Sequence, residues 1–271
     1  VTLRRVKSRT AAISNLKQDP PNVITITPRD TNISDTSDQT KQKVFQLISP
    51  IEQQMQVKNV RRIQGNGILV ETARKSDIST LLTSEKLKAA GFIVGAPAKK
   101  SPRVIIYDVP RTHNDEDTLD ALVEQSVDTP DRAKFRQQLK LVFKTGSKEK
   151  ETCNWILEVS KQVRDFIIQK ERLYIGWSCC RVQDYVAATR CYKCQSFGHT
   201  SKFCKADKDT CGHCASQGHT FKDCPNKAKQ AVCSNCKKAG KHSYHHAVTD
   251  RECPSYAAAI NQVLLRTDYG Q

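Results

Sequence analysis

Val23-Ile24-Thr25-Ile26-Thr27 is a run of β-branched residues closed by Pro28, the signature of a short strand. Between Asp35 and Ile51 the apolar positions Val44, Leu47, Ile48 and Ile51 fall on one helical face, with Pro50 placed to curtail it. Two strand-like stretches follow, Val57 to Ile63 and Ile68 to Thr72, on either side of the hairpin signal Gly65-Asn66-Gly67. Ser76-Asp77 starts a second helix through Ile78, Leu81, Leu82 and Leu87, ended by Gly91, and Phe92-Ile93-Val94 supplies a fourth strand.

The order then repeats. Val104-Ile105-Ile106-Tyr107 predicts a strand ending at Pro110, and Asn114-Asp115-Glu116 caps a helix with Leu119, Leu122 and Val123 on one face. Leu139 to Lys144 and Trp155 to Val159 flank a turn-like stretch from Thr145 to Glu151. Gln162 to Gln169 forms a short helix, and one final strand runs from Leu173 to Val182. Two βαββαβ units imply an α+β chain with two tandem ferredoxin-like, RRM-like domains, residues 23–98 and 102–185. Domains of that class read RNA through aromatic side chains on central strands. The matching stretches here, 67–72 and 153–159, hold only Trp155, which favours a scaffold or protein-contact role over direct RNA binding. Downstream, Tyr256, Ile260, Val263 and Leu264 mark a short amphipathic helix within 255–271, expected to pack back on the chain. Residues 1–22, with Arg4, Arg5, Lys7, Arg9 and Lys17 against Asp19 alone, read as a basic flexible lead.

With 271 residues the chain has room for two or three domains. No apolar run nears the roughly 20 residues that cross a bilayer, and no charged-then-apolar leader opens the chain. Neither a membrane protein nor an intact secretory precursor is therefore expected. A lone methionine, Met55, and an initial valine point to a fragment of a longer product. Lysine and arginine exceed the acids by 16, and the pI is near 9.4. That balance favours polyanionic partners, nucleic acid ahead of an anionic membrane surface.

Cysteine sharpens the picture. Of 12 cysteines, nine fall between Cys191 and Cys253, as three CxxC pairs each followed by a histidine and a further cysteine. The first unit, residues 191–204, offers Cys191, Cys194, His199 and Cys204; the second repeats the spacing with Cys211, Cys214, His219 and Cys224. A disulfide framework has no use for a histidine in every unit. Three sulfurs and one nitrogen suit Zn²⁺ in a closed structural site, and loops this short bury no useful core, so the ion supplies the folding energy. The third unit takes Cys233, Cys236 and Cys253, with His246 the chosen ligand, His245 the alternative and His242 too near the second cysteine. Three zinc knuckles thus occupy 190–254. His213, inside a CxxC pair, is expected to face solvent or nucleic acid; Cys153, Cys179 and Cys180 are expected to be buried thiols. Three zinc ions and nine thiolates lower the surplus charge from 16 to about 13, leaving the knuckles basic.

Knuckles of this kind hold single strands by phosphate contacts and base stacking. In unit one Tyr192 and Phe197 are the expected stacking pair, surrounded by Lys193, Lys202 and Lys205. Unit two has Gly212 in the position of Tyr192, leaving Phe221 with Lys222 and a weaker expected hold on bases. No phosphate loop, nucleophile elbow or other catalytic motif is present, so an enzyme is not expected.

The tandem CCHC units resemble the knuckles of retroviral nucleocapsid and related Gag proteins. The stretch from Arg190 to Thr200, the irregular third unit from His246 to Pro254, and the RRM-like domains ahead of three knuckles resemble more closely the Gag-like first-reading-frame protein of insect non-LTR retrotransposons, of the jockey and telomere- or rDNA-targeting kind. The resemblance covers residues 23–258. It implies binding of the element's own single-stranded RNA, with single-stranded DNA as a further ligand, assembly of a ribonucleoprotein particle, and strand-exchange chaperoning before reverse transcription. It also implies the element's reverse transcriptase as a partner, self-association, and residence in nucleus and cytoplasm. Competing readings are a cellular zinc-knuckle regulator of RNA or single-stranded DNA, and an assembly protein whose knuckles contact protein.

Overall fold

In the computed structural model, residues 22–29, 36–63, 65–111, 114–128 and 130–270 are described; nearly all of the basic lead lies outside them. The chain divides into two compact units, one within residues 17–99 and one from Lys100 onward. The second contains the second sheet, the cysteine region and the C-terminal helix together.

In the first unit the strands are β1 (Val23–Pro28), β2 (Val57–Arg62), β3 (Ile68–Thr72) and β4 (Phe92–Gly95), and the helices are α1 (Ser37–Leu47), α2 (Lys75–Thr83) and α3 (Glu85–Ala89). The sheet is antiparallel in the order β2-β3-β1-β4. Ile24, Ile26, Ile68 and Val70 alternate onto one face, where Val44, Leu81 and Leu87 of the helices close the core. Thr36 caps α1, its hydroxyl accepting from the Gln39 amide while the Gln39 side chain accepts from the Thr36 amide. The helix ends at Leu47, so Ile51, expected on its apolar face, is exposed. The single helix expected after Ser76 is broken at Ser84, whose ψ of 106° is extended. Asp77 is no cap: it is buried and accepts from the Gln56 amide, with Arg74 beside it.

The second unit begins with β5 (Arg103–Pro110), α4 (Asp115–Ser126), α5 (Arg132–Gln137), β6 (Leu139–Thr145), β7 (Thr152–Val159), α6 (Lys161–Lys170), β8 (Arg172–Ile175) and β9 (Ser178–Asp184). Its five strands order β6-β7-β5-β9-β8. The final strand expected as one piece is a hairpin, β8 turning into β9 at Gly176-Trp177. The Gln125 side chain clamps this turn, accepting from the Gly176 amide and donating to the Gly176 carbonyl, while Ser126 does the same for Tyr174. Such bonds satisfy an edge strand that would otherwise invite pairing.

Alternation sends Val104, Ile106, Cys153, Trp155, Leu157, Cys180 and Val182 into one core with Leu119, Leu122, Val123 and Ile167. Trp155, the one ring on the matching central strand, is therefore buried, with the Lys144 ammonium 4.9 Å from its ring centre. The opposite face carries rings that the two central stretches did not show. Tyr107 lies under Arg181 at 4.4 Å and donates to Gln183, and Phe143 meets Tyr185 edge-on at 5.9 Å. Cys153 and Cys180 are buried as expected, but Cys179 alternates outward and is exposed. Burial pushes the Cys180 thiol up to about 11, the condition of an unreactive group.

Helix α7 (Pro254–Leu265) starts with proline in its first turn and joins two packing regions. Tyr256 at its start lies with Cys233, Cys236, Val248 and Cys253; Ile260, Val263 and Leu264 further along pack with Val186 and Tyr269. The chain after it pairs with Lys100 through hydrogen bonds from Lys100 to the Arg266 carbonyl and from Asp268 to the Lys100 carbonyl. The expected packing of the C-terminal stripe onto the chain is thus seen, at the end of the second sheet.

Candidate metal centres and nucleic-acid interface

The first two cysteine units are built alike. In each, the amide four residues after the first cysteine returns to that cysteine's carbonyl (Gln195 to Cys191, 2.8 Å; Ala215 to Cys211, 3.1 Å), and the cysteine amide reaches forward to Ser196 or Ser216. Gly198 and Gly218 stand at φ of +104° and +95°, their amides 2.8 Å from the carbonyls of Thr189 and Asp209. A side chain is disfavoured at such φ, which is why glycine precedes each histidine. The residue after the second cysteine is also left-handed: φ is +62° at Gln195 and +61° at Ala215. Gln195 gains a bond there, from Nε2 to the Tyr192 carbonyl; Ala215 has no such side-chain group. Ala215→Gly is expected to stabilise the second unit by about 1 kcal/mol. The readout is the chelator concentration that strips its metal, which should rise about fivefold.

These backbones gather four ligand atoms each. Cys191, Cys194, His199 and Cys204 form one group, Cys211, Cys214, His219 and Cys224 a second, and Cys233, Cys236, His246 and Cys253 a third; within each, all ligand atoms lie within 4.8 Å of one another. The Sγ of Cys194 is 3.4 Å from His199 Nε2, that of Cys214 is 3.3 Å from His219 Nε2, and the Cys253 Sγ is 3.7 and 3.4 Å from those of Cys233 and Cys236. Sulfurs 2.3 Å from a tetrahedral zinc stand about 3.8 Å apart, so these spacings fit the ion. They are far beyond the ~2 Å of a disulfide, and all twelve cysteines are free. His246 Nε2 is buried without a hydrogen-bond partner among the described residues. A metal is the acceptor such an orphaned nitrogen lacks. His245 and His242 are exposed.

In each group one thiol is shifted toward its charged form and another away from it. At Cys191 burial opposes ionisation, but the amides of Cys194 and Lys193 and the neighbouring thiols outweigh it and bring the group down to about 6. Burial is outweighed likewise at Cys214 by Ser216, giving about 6, and at Cys236 by Ser255, giving about 7. Burial and the crowding of Cys236 and Cys233 push Cys253 up to about 12. A divalent ion removes that crowding penalty, because a coordinating thiol is deprotonated outright.

The units are not separate beads. The Thr210 amide donates to the Lys193 carbonyl, and Gly212 lies where a Cβ would come 3.4 Å from Gln195 Oε1. The Asn235 side chain donates to the Gln195 carbonyl, and the Val232 amide to that of His213. Gly212 thus sits beside the junction between units one and two. His213, expected to face outward, has Nε2 3.0 and 2.9 Å from the carbonyls of Asn226 and Lys229 and ties down the chain leaving unit two.

The expected nucleic-acid contacts are placed as follows. Tyr192 is 76% exposed, with the Arg190 guanidinium 5.2 Å from its ring centre; Phe221 is 59% exposed, with Lys227 at 5.9 Å. Lys202, Lys205 and Lys222 are exposed and Lys193 is half-buried. Phe197 is turned away: it is half-buried and packs on Tyr256, ring centres 5.6 Å apart. The ring that spacing did not single out is Phe203, in a short 3₁₀ turn (Ser201–Phe203), 71% exposed with the Lys202 ammonium 5.9 Å away.

The chain thus joins an antiparallel α+β scaffold to three Cys₃His clusters that could hold zinc. No family model matches the chain. It is similar to an uncharacterized 50 kDa protein in type I retrotransposable element R1DM of Drosophila melanogaster, 27% identical over 192 residues. The match takes in 70% of this chain and 40% of the length of that protein, and it supports a retrotransposon-related protein.

Proposed function

We propose that this chain is a zinc-dependent single-stranded nucleic-acid-binding protein that packages retrotransposon RNA into a ribonucleoprotein particle, acts as a nucleic-acid chaperone, and has no catalytic chemistry of its own. The observation that carries the reading is the set of three Cys₃His clusters inside a stretch with 12 lysines and arginines against five acids, from Arg190 to Cys253. Zinc held by three sulfurs and a nitrogen has no open position for substrate, so its contribution is to the fold. Single-stranded DNA during strand exchange, the element's reverse transcriptase and further copies of the chain are the partners that go with this role, in nucleus and cytoplasm. Similarity to a retrotransposon protein favours packaging over a cellular regulator.

The strand order β2-β3-β1-β4, and β6-β7-β5-β9 with β8 added at the edge, supports reading both scaffolds as ferredoxin-like and RRM-like. Their role here is support. On the first sheet the alternating outward positions, among them Thr25, Leu69 and Glu71, carry no ring. On the second, Ile105 and Ile156 are buried on the outward face and Tyr107 is engaged by Arg181.

The test is fluorescence anisotropy with single-stranded RNA. Affinity is expected to fall steeply as salt rises, as counterion release demands, and to vanish with a zinc chelator. Tyr192→Ala is expected to weaken binding by about 1–3 kcal/mol. Binding indifferent to salt, chelator and Tyr192 alike sinks the reading.

A further inference from the structure

Every strongly exposed aromatic ring from Arg190 onward has a cation beside it. These are Tyr192 with Arg190, Phe203 with Lys202, and Phe221 with Lys227. Single exposed rings are common on protein surfaces, but three that each stand beside a cation invite a shared reason, in the folded state or in a complex. For Phe203 the folded state supplies none: it belongs to no apolar cluster among the described residues, unlike Phe197, which is packed on Tyr256.

We propose that Phe203 stacks a nucleic-acid base, and that Tyr192, Phe203 and Phe221 together form one platform for a contiguous single strand across the first two knuckles. This rests on the RNA-binding reading above and adds to it a ring that the repeat spacing leaves unmarked. The pairing of ring and cation matches the two faces of a nucleotide: the ring takes the base, and the ammonium or guanidinium takes the adjoining phosphate. Lys205 and Lys208, just beyond Phe203, extend the positive charge. The Thr210 to Lys193 bond and the close seat of Gly212 on Gln195 hold the two knuckles together. The rings are therefore carried by two joined knuckles, so a strand that engages all three does not first order a free linker between them. The second knuckle's want of an aromatic at Gly212 is then no loss of binding. Its ring is carried at Phe221 instead.

The experiment measures the affinity of the zinc-loaded full chain for oligouridylate by anisotropy. It uses wild type, Tyr192→Ala, Phe221→Ala, Phe203→Ala, Phe203→Leu and Phe203→Trp, with zinc per chain determined for each. Both Phe203→Ala and Phe203→Leu are expected to lose roughly 5- to 100-fold in affinity with three zinc ions retained, and Phe203→Trp to bind at least as well as wild type. Leucine keeps apolar bulk without a π face, so its loss separates stacking from burial. If Tyr192→Ala weakens binding while both Phe203 variants match wild type, the proposal is overturned and the RNA-binding reading stands. If the Phe203 variants lose zinc, the ring serves its own knuckle and the proposal is likewise overturned. Absence of any wild-type affinity overturns both.

Discussion

His246→Ala will lower bound zinc from three ions per chain to two, whereas His245→Ala will leave three, as measured by elemental analysis of reduced protein. The two residues are adjacent and chemically identical, so only placement separates them. The His246 ring nitrogen Nε2 is buried with no hydrogen-bond partner among the described residues, and His246 completes a cluster with Cys233, Cys236 and Cys253. The His245 ring instead lies against Tyr244, 4.4 Å between centres, at the surface. The loss will extend past the ion. In knuckle-sized modules the apparent zinc-binding free energy, on the order of 10–16 kcal/mol, is the folding free energy. Cys253 both belongs to the cluster and caps α7, its sulfur accepting from the Tyr256 amide. Removing the third ion should therefore loosen the start of that helix as well, visible as faster amide exchange from Tyr256 onward.

Arg164→Ala is expected to cost about 3–5 kcal/mol, the penalty for leaving a buried partner charge uncompensated. The Arg164 side chain is 11% exposed and grips Asp184, 1% exposed, through two bonds of 2.8 and 2.5 Å. Burial works against the guanidinium charge, but Asp184 and then Asp165 outweigh it and raise its pKa further. The same guanidinium sits 5.3 Å from the ring centre of Tyr269, whose hydroxyl burial and Asp184 push up to about 12. Urea denaturation followed by Trp155 fluorescence, in a Trp177→Phe background, provides the measurement. Arg164→Met with Asp184→Leu should cost far less, since no lone charge is left behind. Equal costs for the single and double variants would show that packing volume, not charge pairing, stabilises this region.

The knuckles were legible in the sequence because metal geometry restricts spacing severely: four donors must converge within a few ångströms, and few residue intervals allow it. Of the side-chain caps in the sheet domains, Thr36, Asn114 and Ser160, the sequence marked Asn114, where polar residues precede a clear apolar stripe. What failed did so for identifiable reasons. The β8–β9 hairpin was read as one strand because Leu173 to Val182 is continuously strand-compatible, and Gly176 is the sole sign of a turn. The short helix Arg132–Gln137 has no buried residue and so no apolar stripe to detect. Asp77 looked like a cap because a buried carboxylate that ties Gln56 and Arg74 has the same local sequence as one that opens a helix. Phe197 and Phe203 differ only in what lies across from them in space. Tyr256, which covers the first, is far along the chain, and no local pattern carries that information.

The helix from Pro254 to Leu265 reaches from the third cluster to the end of the second sheet. The cysteine-rich segment should consequently tumble with that sheet as one particle, with nuclear-spin relaxation reporting a single correlation time for both. If the chain holds RNA as proposed, a strand bound to the cysteine-rich segment leaves in a direction fixed relative to that sheet.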